Sequence, residues 1–211
     1  MIVRKSQAKL AYLHVGMYIC SMNMDAQTTK DRIIELGRDL MQTIGYHSFN
    51  YKQVATQLDI KNASIHHYFP SKEDLALAVI RQDQEDFKAL IQSVSHKTPT
   101  QKLEALIYNY TEYFKNGKKL CVISTFGTSF NDVSLEIQKA TEEYGALVND
   151  WLKSVFTEGR KTGDFTFKGK IEEITALWRA TLPGSLMVGR MHGKNYFDFI
   201  IRHLKKSLRE V

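Results

Sequence analysis

The 211-residue chain is long enough for one or two domains with a sizeable core, and 43% hydrophobic with 25% charged residues is the balance of a soluble globular protein, not a disordered one. Two cysteines far apart exclude a disulfide framework and a cysteine metal site, and three prolines without any low-complexity tract suit a helical, intracellular protein. A net charge of +6 admits a polyanionic partner without requiring one.

Residues 1–27 read as an extension ahead of the folded part. Arg4, Lys5 and Lys9 precede a fairly apolar run from Leu10 to Cys20, a faint likeness to a secretory signal that His14, Gly16 and two tyrosines weaken. The run is too short to span a bilayer. Translation starting at Met22 or Met24 is the expectation here; an N-terminal arm that packs on the body or touches its partner is the alternative.

Thr28 to Ile44 reads as the first helix, capped by Thr28 or Thr29, with Asp31 at the end its dipole favours. Ile33, Leu36, Leu40 and Ile44 recur at three- and four-residue steps, and Ile34 and Met41 widen the stripe. Gly37 lies on that stripe, where a missing side chain lets another helix approach at about 1 kcal/mol of helix propensity. Gly45 closes the helix, and Phe49 is an inward anchor.

Asn50 to Leu75 holds the most informative pattern. Asn50 caps a short helix whose Val54, Ala55 and Leu58 share one face. A tight turn follows at Asp59, Ile60 and Lys61. The next helix, about Asn62 to His67, has only Ala63 and Ile65 as apolar residues. Such a segment is too short and too polar to persist alone. Its neighbours must hold it, leaving its polar side free. Tyr68 and Phe69 read as an aromatic plug, Pro70 ends the run, and Ser71 with Asp74 opens a third helix.

Two short helices joined by a tight turn have the geometry of a helix-turn-helix, whose second helix enters the DNA major groove. The run Ala63-Ser64-Ile65-His66-His67-Tyr68-Phe69-Pro70-Ser71-Lys72-Glu73-Asp74-Leu75 resembles the signature of TetR-type transcriptional regulators, with Val54-Ala55 and the turn in register before it. About fifty residues carry the resemblance, and Tyr68 to Leu75 is its most specific part. Three positions depart from the family pattern. Asp59 replaces the turn glycine, Lys61 replaces the capping serine, and His66 replaces a tyrosine that contacts phosphate in the family.

The resemblance implies a DNA-binding regulator, a repressor released from a palindromic operator by a small-molecule or electrophile effector. Candidate DNA contacts are Asn50, Tyr51, Lys52, Asn62, Ser64, His66, His67 and Lys72. Lys72 sits at a helix N-terminus, where backbone amides also favour phosphate. Asn62 either reads adenine or only caps its helix. His66 and His67 are not a metal pair, because adjacent side chains diverge by about 100° on a helix.

Lys72 to about Ser95 reads as a long helix running from head to body, with Leu75, Val79, Phe87, Leu90, Ile91 and Val94 apolar and a polar interval from Arg81 to Asp86. His96 to Thr100, with Pro99, breaks the chain. Gln101 to Lys115 is the next helix, Leu120 to Gly127 a short buried one, and Ser134 to about Gly159 another long one that offers Leu135, Ile137, Val148, Trp151, Leu152, Val155 and Phe156 to its core. A turn at Gly163-Asp164-Phe165 precedes helices at Ile171 to about His192, interrupted by Pro183-Gly184, and Asn195 to Arg209. Both carry apolar residues on more than one side. In TetR-type proteins this pair forms a four-helix dimer interface.

The expected fold is therefore all-α. A helix-turn-helix head at 28–75 sits on a ligand-binding and dimerisation bundle at 76–211. By resemblance the body holds an effector pocket, with Tyr110, Phe114, Phe126, Trp151 and Trp178 as apolar candidates. Cys121 follows Lys118 and Lys119, and positive charge or a helix N-terminus would lower its pKa and make it a sensor. Some electrophile-responsive TetR-type repressors resemble this stretch; a small buried apolar residue is the plainer reading. No nucleophile–base pair, phosphate loop or H-E-x-x-H is present, so no enzyme, cofactor or metal is expected. A helical protein-interaction module without DNA binding is the competing function. A DNA-bound regulator would be cytoplasmic, with no membrane partner.

Overall fold

The computed structural model describes residues 27–209. The readings made for residues 1–26, including the alternative start, the N-terminal arm and Cys20, lie outside the described residues. Among the described residues the secondary structure is wholly helical.

Helix α1 (Thr29–Ile44) starts in a capping box between Thr28 and Asp31 and buries Ile33, Gly37 and Met41. Gly37 fits its expectation: a Cβ there would stand 3.0 Å from Cδ2 of Leu75, so the missing side chain seats that leucine. Ile44, expected on the buried stripe, is 40% exposed where the helix ends. Helices α2 (Tyr51–Leu58) and α3 (Asn62–Tyr68) complete the head. The long α4 (Lys72–Ser93) buries Leu75, Val79 and Ile80 in its first half and Phe87 and Leu90 in its second.

The body continues with α5 (Pro99–Lys115), α6 (Val122–Gly127), a 3-10 turn at Phe130–Asp132, and α7 (Leu135–Thr162). Helix α5 begins at Pro99, earlier than expected. Thr98 caps it, and proline suits the first turn because its missing N–H would have had no partner there. Helix α7 runs three residues further than expected and ends on left-handed Gly163. Its Leu135, expected in the core, is 76% exposed in the first turn.

Helices α8 (Ile171–His192) and α9 (Lys194–Lys206) close the chain. The expected interruption at Pro183-Gly184 does not occur, and α8 passes through it. Proline removes the N–H that would reach the Arg179 carbonyl. The turn is kept by packing, with Leu182, Ser185 and Leu186 buried around it. Helix α9 ends at Lys206, short of Arg209. Helices α8 and α9 pack on each other, and α8 also packs on α5 and α7. Away from that core they expose Leu177, Met187, Met191, Tyr196 and Phe199.

Candidate nucleic-acid interface and body cavity

Each joint of the head has a local cause. Asn50 and Gln53 exchange bonds that start α2: Gln53 N–H donates to Asn50 Oδ1 at 3.1 Å, and Asn50 N–H to Gln53 Oε1 at 2.8 Å. Asp59, in place of the turn glycine, takes the left-handed conformation (φ 51°, ψ 48°), which turns the chain between α2 and α3. Lys61 stands at the N-cap of α3 without a side-chain cap, so that cap is lost and does not pass to a neighbour.

With seven residues and Ile65 as its buried one, α3 is held from outside. Tyr51 does much of this. Expected on the DNA-facing side, it is instead 8% exposed, and its hydroxyl donates toward the carbonyls of Phe69 (3.0 Å) and Ser71. Burial and the nearby Asp74 charge raise its pKa well above the usual phenol range. His66 packs edge-on against the Tyr51 ring at 4.9 Å, and its Nδ1 lies 3.2 Å from the Pro70 carbonyl. Phe69 is buried as the plug, but Tyr68 is not: it is the last residue of α3 and is 40% exposed. Its place on the recognition helix could have identified it.

The remaining candidates sort by placement. Lys52, Asn62, His66 and His67 are exposed, and Ser64 is half-buried. Asn50 is exposed with its side chain committed to the cap. Lys72 is not a free terminus cation. Its Nζ donates to the His47 carbonyl at 3.0 Å and lies 4.7 and 4.9 Å from the rings of Tyr46 and Phe49, and burial lowers its pKa. The outer side of α3 thus presents Asn62, His66, His67 and Tyr68 with Lys61 at its start, donors and acceptors suited to base edges and phosphates.

A cavity of about 330 Å³ lies in the body among α5, α6, α7 and α8. Tyr110, Cys121 and Trp178 line it as expected. Phe114, Phe126 and Trp151 do not. Phe114 stacks on Phe197 with ring centroids 4.6 Å apart, Phe126 packs under Tyr46 at 5.6 Å, and Trp151 meets Phe87 edge-on at 5.5 Å. These three are packing residues. A second groove, of about 540 Å³, runs along the start of α5 and the end of α9 and includes the Lys205–Glu104 ion pair.

For Cys121 the structure favours the plainer of its two readings over the sensor. It is buried at the N-cap of α6, and burial pushes its thiol pKa up. Its Sγ is 3.1 Å from Ser124 Oγ. Lys119 is drawn away to Asp39 at 2.8 Å, and Lys118 is exposed, so neither supplies the expected positive field. Among the described residues no cluster suited to a metal occurs.

Sequence reasoning missed the polar contacts joining head to body. Asp83, read as part of a polar interval, is 5% exposed. It lies 3.4 Å from Arg38 Nη1 of the head and accepts from Tyr144 Oη of α7 at 2.9 Å; the same Arg38 nitrogen donates to Asp86 at 2.7 Å. Its signal was the four-residue spacing Val79, Asp83, Phe87, which puts it on the buried stripe.

Residues 33–79 match the family model for bacterial regulatory proteins of the tetR family. Over 65 residues the chain is 37% identical to the HTH-type transcriptional regulator UidR of Escherichia coli K12, a match covering 31% of this chain and 33% of that protein. Only about a third of that relative's length is therefore spanned. A fatty acid metabolism regulator protein of Bacillus subtilis is 21% identical over 142 residues, 63% of this chain and 69% of that one. A TetR transcriptional regulator from Legionella pneumophila superposes with a TM-score of 0.78 at 26% identity, over 88% of this chain and 100% of that chain. A TetR-family regulator from Agrobacterium tumefaciens gives 0.79 at 25% identity, over 86% and 97%.

Proposed function

We propose that the chain is a TetR-type bacterial transcriptional regulator, a reading supported by the match of residues 33–79 and by the shared fold, and that it represses by gripping a palindromic operator as a homodimer and lets go when a small molecule fills the body cavity. The observation that carries the reading is α3 itself. Its inner side is fixed by Ile65 and Tyr51, while Asn62, His66, His67 and Tyr68 remain exposed. A rigid backing with a polar outer side is what a major-groove helix needs.

The apolar residues left exposed on α8 and α9 support the pairing. Burying Leu177, Met187, Met191, Tyr196 and Phe199 against a second copy would set two heads on one face of a duplex, ~34 Å or a multiple apart. Leu120, next to Cys121 of the cavity, bonds to Gln42 of the head, and Asp83 of the body pairs with Arg38 of the head. An effector acts by binding one arrangement of those connections better than the other. A repressor of this kind works in the cytoplasm; among the described residues no helix is long and apolar enough to cross a membrane.

Selection of bound fragments from random duplexes by the purified protein tests this. Recovered sites should share a two-fold symmetric sequence, and affinity should fall steeply with salt as phosphate counterions are released. Equal recovery of all sequences, with affinity indifferent to salt, would end the reading.

A further inference from the structure

The cavity beside Cys121 is two-toned. Its deeper wall is apolar, built by Leu106, Val148, Leu152, Trp178 and Leu182, all buried. Gly127 and Thr128 are exposed and mark its mouth. One cation lines the cavity, Arg179 of α8, half-buried. Among the described residues Arg179 forms no ion pair. A guanidinium has five N–H donors. One nitrogen, Nη1, donates to the Gly145 carbonyl of α7.

The sequence makes room for that seat. Gly145 is a buried glycine in the interior of α7, where glycine costs about 1 kcal/mol of helix propensity against alanine. A Cβ at that position would lie 3.3 Å from Arg179 Nη2. The absent side chain thus lets the guanidinium reach the helix backbone and fixes it at the cavity wall. A cation fixed beside apolar walls favours a ligand that brings the opposite charge on an apolar body, because a charge-assisted bond strengthens where water is scarce.

We propose that the cavity takes an apolar carboxylate, its chain among the Trp178, Leu152 and Leu106 side chains and its carboxylate on the Arg179 guanidinium. This rests on the reading of the cavity as the effector site and adds the ligand's chemical class. A neutral ligand of the same length leaves the guanidinium without a counter-charge, and a cationic one is repelled by it.

Octanoate, octanol and octylamine, titrated into the full chain, separate the two readings. The chain has two tryptophans, so Trp151→Phe leaves Trp178 as a reporter inside the cavity, and calorimetry on the unaltered protein gives a second readout. Octanoate should bind at least ~10-fold more tightly than either of the others, a difference of about 1.4 kcal/mol. Arg179→Gln should remove that preference by weakening octanoate binding, and Arg179→Lys should restore part of it; thermal melts of both variants check folding. Equal binding of octanoate and octanol overturns the carboxylate assignment but keeps the cavity as a ligand site. No binding of any of the three, in a protein that melts cooperatively, overturns both.

Discussion

Gln42 and Leu120 bond to each other twice across the junction of head and body: the Gln42 amide Nε2 donates to the Leu120 carbonyl at 2.8 Å, and the Leu120 N–H donates to the Gln42 carbonyl at 3.1 Å. Arg190 of α8 reaches the same Gln42 carbonyl at 2.9 Å, and its Nε donates to the Lys118 carbonyl at 2.9 Å. Two segments distant in sequence therefore meet on one residue of α1. Leu120 is next in sequence to Cys121, which lines the cavity, so these bonds tie a residue beside the cavity to the head.

Replacing Gln42 by Met keeps the length of the side chain and removes the amide. Gln42 is 2% exposed, so the Leu120 carbonyl loses a donor away from water, which costs about 1–3 kcal/mol. Urea unfolding should show that loss. The response of DNA binding to a cavity ligand should shrink more than DNA affinity itself. Unchanged stability with a full ligand response would show that the paired bonds carry no coupling.

The Arg38–Asp83 pair predicts a pH effect. Burial pushes the Asp83 carboxyl up, although Arg38 and the Tyr144 hydroxyl pull the other way; burial disfavours the charge on Arg38, but Asp83 and Asp86 outweigh it and raise its pKa. A carboxyl with a raised pKa binds its proton more tightly folded than unfolded. Its contribution to stability is therefore full below the unfolded value, about 4, and is lost as pH rises through the folded value. Arg38→Met removes the compensating charge and lifts the folded value further. The variant should be destabilised by up to about 3 kcal/mol near neutrality, and by clearly less at pH 5. A loss that is the same at both pH values would mean that Asp83 is not the group responsible.

Tyr51 and His67 should separate support from contact. Tyr51→Phe deletes a buried hydroxyl that holds the exit of α3, so it should cost about 1 kcal/mol of stability and weaken binding to every duplex alike. His67 is exposed on α3. His67→Ala should leave the melting temperature in place and alter affinity for the selected site. If Tyr51→Phe changed sequence preference and His67→Ala changed nothing, their roles would be reversed.

Much of the head could be read from the chain because its determinants are local. The boxes at Thr28/Asp31, Asn50/Gln53 and Ser71/Asp74 each span three residues, and the left-handed turn needs only Asp59. The stripe that buries Ile33, Gly37 and Met41 is a matter of periodicity alone. What stayed hidden depends on partners far along the chain. Nothing near Tyr51 shows that its hydroxyl meets carbonyls eighteen and twenty residues on. Nothing near Lys119 shows that Asp39 takes its charge. Tyr110 and Trp178 line the cavity, but the other three aromatic candidates do not, for the same reason. Phe114, Phe126 and Trp151 are placed by Phe197, Tyr46 and Phe87, which lie on other elements.

Cys121 gives the last test. A sensor thiol is reactive as thiolate, and its rate of alkylation follows the thiolate fraction and its access to reagent. Here the thiol is 6% exposed and burial raises its pKa, so both factors oppose reaction. With Cys20 replaced by Ser, iodoacetamide at pH 7.5 should label native Cys121 at least ~10-fold more slowly than the urea-unfolded chain, and the native rate should keep climbing at pH values where the unfolded rate has levelled off. Octanoate should slow it again, because Cys121 lines the cavity that the ligand would fill. Cys121→Ser should then leave DNA release by a cavity ligand intact. Native labelling as fast as unfolded labelling, levelling off below pH 8, would instead restore the electrophile sensor and shift the search for an effector from carboxylates to reactive compounds.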